Sequence, residues 1–310
     1  MRCKKSIGLW CNGNTADSGP AFPGSSPGSP TKRRLFSIGQ PPFLLENLYS
    51  TSAMLDDSPY FKLIELDETV STNTFLQGYR PAQLTDITLV TTEYQTAGRG
   101  QRGNSWESER GKNLLFSILV QPTFIPPQQL FILSEAIALS IHKAILKALG
   151  DKVSDVTVKW PNDIYVGDHK IAGILIENDL QGSKISRAII GCGVDINQAS
   201  FQEPLPGHPT PVSLFQLTGQ TAERSLILGE IVENFKRHYT ALQGHFESAV
   251  EALRKEYAAT LYRREGFHSF HDENGDFKAE ITDVETTGHL VLRDKQGALR
   301  RYAFKEVSYL

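Results

Sequence analysis

The chain is poor in cysteine. It has three, Cys3, Cys11 and Cys192, among 310 residues. Their positions match no zinc-ligand spacing, and so sparse and odd a set argues against a disulfide framework. A reducing cytoplasm is the expected setting. Long apolar runs are also missing. None reaches the roughly 18 residues that suggest a membrane span, and Ile7-Gly8-Leu9-Trp10 is too short for the apolar part of a secretory signal. Charge of one sign is not in excess either. A net charge of −3 gives no global attraction to nucleic acid, so any positive field must be local. No internal repeat is visible. With 40% hydrophobic and 22% charged residues, the composition is that of a soluble globular protein: one large domain with an appendage.

Residues 1–53 differ from the rest. Six prolines fall between Pro20 and Pro42, interleaved with Gly and Ser. Such a composition cannot bury enough apolar surface to offset its ordering entropy. Residues 1–59 are therefore expected to be a disordered, non-functional extension, with Lys32-Arg33-Arg34 as part of a solvated tail. Met54 is the expected true start, because ordered pattern begins soon after it.

From Phe61 the alternation predicts strands at 61–66, 86–94, 113–120, 156–160, 163–166, 171–177 and 185–191. The hairpin turn falls at Gly167-Asp168. Ser71-Thr72-Asn73 starts a short helix ending at Tyr79, with hydroxyl caps that leave backbone N–H groups open to an anion. Residues 128–149 form the clearest helix, with one apolar face and Gly150 at its end. Gly191 and Gly193 are expected to end the sheet, and residues 199–220 to form a Pro-rich loop. Residues 225–247 and 250–264 are helical by period. After Gly266, short strands separated by Gly and Asp turns predict a small β-barrel.

The most informative stretch is Gly98-Arg99-Gly100-Gln101-Arg102-Gly103-Asn104-Ser105-Trp106. Glycines allow close backbone approach to an anion, and arginine offers a planar fork for phosphate or carboxylate. The glycine spacing matches a dinucleotide fingerprint, but that motif needs a helix next and an acidic residue about 20 positions on. Residues 117–124 contain neither Asp nor Glu, so this reading fails. A second constellation is Lys159-Trp160-Pro161-Asn162-Asp163 followed by Lys170-Ile171-Ala172-Gly173. Lys170 lies across a hairpin from Asn162 and Asp163, where its ammonium is poised for an anion.

These motifs, with Ser71-Thr72-Asn73 and Gln95-Thr96-Ala97 before the glycine loop, closely resemble those of the biotin protein ligases. The resemblance runs from about Tyr60 to the C-terminus. It implies an α+β fold: a mixed-sheet catalytic domain of the biotin/lipoate ligase type at 60–264, with helices on one face, and an SH3-like β-barrel at 265–310. It implies ATP and biotin as substrates, a biotinyl-5′-AMP intermediate, and transfer to one lysine of a biotin carboxyl carrier protein domain. By the family pattern Ser71, Thr72, Asn73 and Gln95 line the biotin head group. Gly98, Arg99, Gly100, Gln101, Arg102 and Gly103 close over the carboxylate and α-phosphate. Trp106 and Asn162 meet the adenine. Lys170 bridges carboxylate and phosphate oxygens, Gly173 packs on the biotin chain, and Asp163 assists the incoming lysine. Lys170, Arg99 and Asp163 are thus the expected catalytic residues. Mg²⁺ is expected with ATP, with no ligand cluster to assign.

Two departures stand out. Gln101 stands where the family often has arginine, so the loop carries less charge. A winged helix, present in bifunctional members, does not fit the Pro-rich tail. A monofunctional enzyme without specific DNA binding is expected, and a homodimer is left open. The alternatives are a lipoate or octanoate ligase and a non-enzymatic biotin sensor. For the extension, N-terminal sequencing of the protein from its native host is expected to begin at Met54; Met1 to Ala53 intact would contradict that reading.

Overall fold

The computed structural model describes residues 60–150, 155–182, 184–204 and 208–310. The expectations for residues 1–59, including a start at Met54, lie outside the described residues. In chain order the first part comprises β1 (Phe61–Thr69), α1 (Thr72–Gly78), β2 (Ile87–Gln95), β3 (Leu114–Val120), α2 (Phe131–Leu149), β4 (Val156–Lys159), β5 (Asp163–Val166), β6 (His169–Gln181) and β7 (Lys184–Val194). Three helices follow: α3 (Leu214–Thr218), α4 (Arg224–Gly244) and α5 (Phe246–Ala259).

Strand β3 is buried along its whole length. Side chains alternate across a strand, so β3 must be covered on both faces. Phe116, Ile118 and Val120 join the main core with α2, whereas Leu119 joins a smaller cluster with Leu76, Val90 and Ile189. Leu76 belongs to α1. The expectation of helices on one face is therefore corrected: α2 covers one face, with α4 and α5 packed on it, and α1 covers the other. The sheet has seven strands in the order β1-β2-β3-β7-β6-β5-β4. β1 is parallel to β2 and the remaining neighbours are antiparallel. The free edge of β4 is closed by residues 260–262, through Val158 N–H to Thr260 O at 2.8 Å and Tyr262 N–H to Val158 O at 2.9 Å. Covering an edge removes a template for unwanted pairing.

Other expectations shift for local reasons. Pro126 and Pro127 deprive the start of α2 of backbone donors, so residues 127–129 form a 3₁₀ turn and the α-helix begins at Phe131. Its C-terminus is as expected, with Gly150 at φ 60°. Its apolar surface is wider than one face, because fourteen of its residues are buried. Among the described residues this helix, Pro127–Leu149, is long and apolar enough to cross a membrane, yet 78% of its apolar window is buried inside the protein. The region 199–220 holds α3, started by a capping box between Ser213 and Gln216. The Ser-x-x-Gln spacing was its signal. Helix α5 spans 246–259 rather than 250–264, since the chain must leave it to cover β4. β7 continues through Gly191 and Gly193 to Val194, so these glycines lie inside the sheet rather than at its end.

The C-terminal strands are β8 (His268–Asp272), β9 (Gly275–Val284), β10 (Leu290–Asp294), β11 (Leu299–Tyr302) and β12 (Ser308–Tyr309). They pair antiparallel in the order β11-β10-β9-β8-β12. The indole N–H of Trp160, just after β4, donates to Gly288 O at 3.0 Å and pins this sheet to the larger unit.

Glu135 of α2 is buried in this region. Burial raises its pKa to about 8, against the opposing pull of Arg254, with Asp283 adding to the rise. The folded state thus holds a proton that the unfolded chain releases above its ordinary value of 4.5. The contribution of that proton to stability is complete below 4.5 and is lost as pH rises through 8. Glu135→Gln is expected to flatten the fall in stability over this window, which in the parent has a slope of at most about 1.4 kcal/mol per pH unit from this group. Urea unfolding of both proteins across the window measures the difference; parallel curves would contradict the assignment.

Candidate functional site

The glycine stretch folds as a small hairpin. Gly100 N–H donates to Asn104 O at 2.6 Å and Trp106 N–H to Gly98 O at 3.0 Å, around a 3₁₀ turn at Gln101–Gly103. Its own turn, as much as any ligand, calls for the glycines. A side chain at Gly98 would press on Trp106 O, and Gly103 sits at φ 90°. The hairpin carries Trp106 over the ends of β6 and β7. Its indole lies so close to Gly193 that a Cβ there would overlap the ring, and it also flanks Gly173. The buried indole N–H has no hydrogen-bond partner among the described residues.

Below the hairpin lies a cleft open to solvent. Its floor is polar. The Gln95 Oε1 atom accepts from Thr72 N–H at 2.8 Å and from the Thr72 hydroxyl at 3.2 Å. Ser117 Oγ is 2.6 Å from both Thr72 Oγ1 and Asn73 Oδ1. Asn73 Nδ2 donates to Glu177 Oε2 at 2.8 Å. Gly191 leaves the space for the Asn73 carboxamide, because a Cβ there would overlap it. Ser71 occupies the N-cap position of α1 but its side chain makes no capping bond. The expected hydroxyl cap is thus corrected, and the Thr72 N–H expected to await an anion is taken by Gln95.

One wall carries the charge. Lys170 Nζ lies 2.7 Å from Asp163 Oδ1, a contact ion pair rather than an aligned hydrogen bond. Its ammonium is 5.5 Å from the Trp106 ring centroid, within cation–π range. The backbone of Lys170 is held on both sides, by its N–H to Thr210 O and by Val212 N–H to its own carbonyl, each at 2.9 Å. A register shift opposite Ile164 and Tyr165 leaves Ile171 as an extra residue in β6. Such bulges re-aim neighbouring side chains. Asn162 is fixed to β6 by Nδ2 to Ile174 O at 2.9 Å.

Of the residues expected from sequence, Ser71, Thr72, Asn73 and Gln95 line the cleft together with Arg99, Gly100 and Gln101. Trp106, Asn162, Lys170 and Gly173 complete its wall. Asp163 joins through Lys170. Gly98 and Gly103 shape the hairpin and do not line the cleft. The side chain of Arg102 lies outside the described residues. Sequence reasoning missed Ser117, Glu177, Gly191, Cys192 and Gly193, although the Gly-x-Gly pattern in an otherwise apolar strand signals close approach. It also missed Asp195, whose carboxyl is pushed well above the usual range by burial while Lys170 pulls it down. Among the described residues no group of three or more His, Cys, Asp or Glu side chains could hold a metal ion.

Polar floor, paired cation and overhanging hairpin define a small-molecule site at one end of a mixed sheet. Residues 66–195 match the model of the Biotin/lipoate A/B protein ligase family. The bifunctional ligase/repressor BirA of Escherichia coli is 32% identical over 264 residues, covering 85% of this chain and 75% of that protein. The biotin--[acetyl-CoA-carboxylase] ligase of Paracoccus denitrificans is 30% identical over 175 residues, covering 56% and 70%. The chain belongs to the Biotin/lipoate A/B protein ligase family. It spans 64% of the length of the BirA proteins of Bacillus spizizenii and Bacillus subtilis that it matches at 28% identity. A biotin protein ligase from Aquifex aeolicus, solved with biotin and ATP, shares the fold with a TM-score of 0.64 and 22% identity, over 79% of this chain and 97% of that one.

Gly193→Ala tests the packing of the indole. The added methyl is expected to push Trp106 off β7, raise the quenching of tryptophan fluorescence by acrylamide, and cost about 1–3 kcal/mol by overpacking. Unchanged quenching would show that the ring does not rest there.

Proposed function

We propose that this chain is an ATP-dependent biotin–protein ligase. The observation that carries the reading is the Lys170–Asp163 pair beside a polar floor built from Thr72, Asn73, Gln95 and Ser117. A ureido ring offers both donors and acceptors to such a floor, whereas an octanoyl or lipoyl tail would leave it unsatisfied. A sensor would need the floor but not the cations.

In the first step a biotin carboxylate oxygen attacks the α-phosphorus of ATP. The bond to the β-phosphate oxygen breaks and pyrophosphate leaves. Anion meets anion, so Lys170 and Arg99 lower the barrier by neutralising charge on the α-phosphoryl oxygens. Trp106 and Asn162 flank the adenine, and Gly173 lets the biotin chain lie flat on β6. In the second step a carrier lysine attacks the acyl carbon and AMP leaves. An amine at its ordinary pKa near 10.4 is almost fully charged at neutral pH. Asp163 would take its proton if Lys170 turned to the phosphate. Closing the hairpin would shield the mixed anhydride from water.

Magnesium would arrive with the nucleotide, since it usually keeps several waters and binds through one or two carboxylates plus substrate phosphates. Among the described residues no cluster would hold it without the nucleotide. The acceptor on this reading is a biotin carboxyl carrier domain; the Paracoccus relative is named as a ligase acting on acetyl-CoA carboxylase. We read the chain as a cytoplasmic enzyme with a catalytic unit at 60–264. The five C-terminal strands then form the SH3-like barrel at 265–310.

Pyrophosphate release on incubation with ATP and biotin, but not with lipoate or octanoate, tests the reading. Lys170→Ala is expected to lower this release by ~10²–10³, as for loss of one transition-state donor. Near-normal release would remove Lys170 from the chemistry, and release with octanoate alone would favour the lipoyl-type rival.

A further inference from the structure

Glu177 joins the two halves of the site. It sits on β6, seven residues beyond Lys170, with its side chain only 12% exposed. One carboxylate oxygen, Oε2, accepts from two directions at once. Asn73 Nδ2 reaches it from the cleft floor at 2.8 Å, and Arg99 Nη2 reaches it from the hairpin, also at 2.8 Å. Behind Asn73 the chain of contacts runs through Ser117 and Thr72 to Gln95. Glu177 itself does not line the cleft, whereas Arg99 does. The carboxylate thus occupies one nitrogen of the guanidinium from outside and leaves its other N–H donors for an anion inside.

We propose that Glu177 is a positioning residue that anchors the glycine hairpin to the floor and aims Arg99 into the cleft. The inference rests on the ligase reading for the identity of that anion, an acyl-adenylate, but the anchor exists without it. The physical logic is preorganisation. An exposed arginine on a small hairpin loses side-chain entropy when it binds a ligand. Here Arg99 is 39% exposed, and a carboxylate already restricts it. The same carboxylate fixes Asn73, so ordering the floor and holding the hairpin become one event instead of two. Hydrogen bonds to an ionised acceptor are the stronger kind, which suits a single atom to both tasks.

Glu177→Gln keeps the shape and an acceptor oxygen but removes the charge. Two measurements test it. In ligand-free protein, trypsin cleavage within residues 98–106, followed by peptide mass, is expected to accelerate about tenfold as the hairpin opens more often. In protein loaded with biotin and ATP, the acyl-adenylate is expected to dissociate about tenfold faster in Glu177→Gln. The same substitution placed on Arg99→Ala should then change that rate less than about twofold, because the two residues act as a unit. Unchanged cleavage, or equal effects of Glu177→Gln with and without Arg99, would overturn the proposal. The cleavage arm needs neither ligand nor turnover. A protein that made no acyl-adenylate would therefore refute the activity reading, while the cleavage rate would still decide the anchor.

Discussion

A single positive charge, held 2.7 Å from a carboxylate at the wall of a half-buried cleft, is what the surrounding structure is arranged around. Lys170 and Asp163 come from adjacent antiparallel strands, and the extra residue in β6 lies between Lys170 and Ala172. Residues 210–212 then clamp the lysine backbone from the far side. With the cation fixed, the neighbouring strands must seat the side chains that surround it. β6 and β7 do so with Gly173, Gly191 and Gly193, where larger residues would strike Trp106 or Asn73. A cation beside a carboxylate is poised rather than spent. An incoming anion can take the lysine, and the carboxylate is then free to accept a proton. In the proposed function this exchange would give one ion pair a part in both chemical steps.

Much of this was legible in the sequence because it is written in local patterns. The strands from Phe61 onward, the 128–149 helix and the hairpin at Gly167-Asp168 all depend on spacing within about a dozen residues. Lys170 and Asp163 sit across one hairpin, so their pairing could be anticipated. The partners that escaped are distant along the chain. Glu177 meets Arg99 and Asn73 from 78 and 104 residues away, and Ser117 meets Thr72 from 45. No periodicity encodes such pairings. Gly191 and Gly193 were visible as a pair, but their meaning depended on which side chains lie against them. The cap at Ser71 misled for a similar reason: the residue type was right, but Gln95, 23 residues beyond Thr72, had already taken the backbone donor.

The same contrast explains the division between fold and function. Membership of the ligase family rests on a long stretch of chain, through the match of residues 66–195 to the family model and of 85% of the chain to the Escherichia coli relative. The proposed chemistry rests on a few side chains and on which anion they face. Polar floor, paired cation and anchored hairpin agree with one another physically. In the proposed function each would stabilise a different part of a ligand that is polar at one end and anionic at the other.

The most direct measurement is transfer of biotin to a purified biotin carboxyl carrier domain, followed by intact mass. With biotin and ATP together, the carrier should gain one biotinyl group on a lysine, and it should gain none when ATP is omitted. A carrier left unmodified in the presence of both substrates would contradict the account.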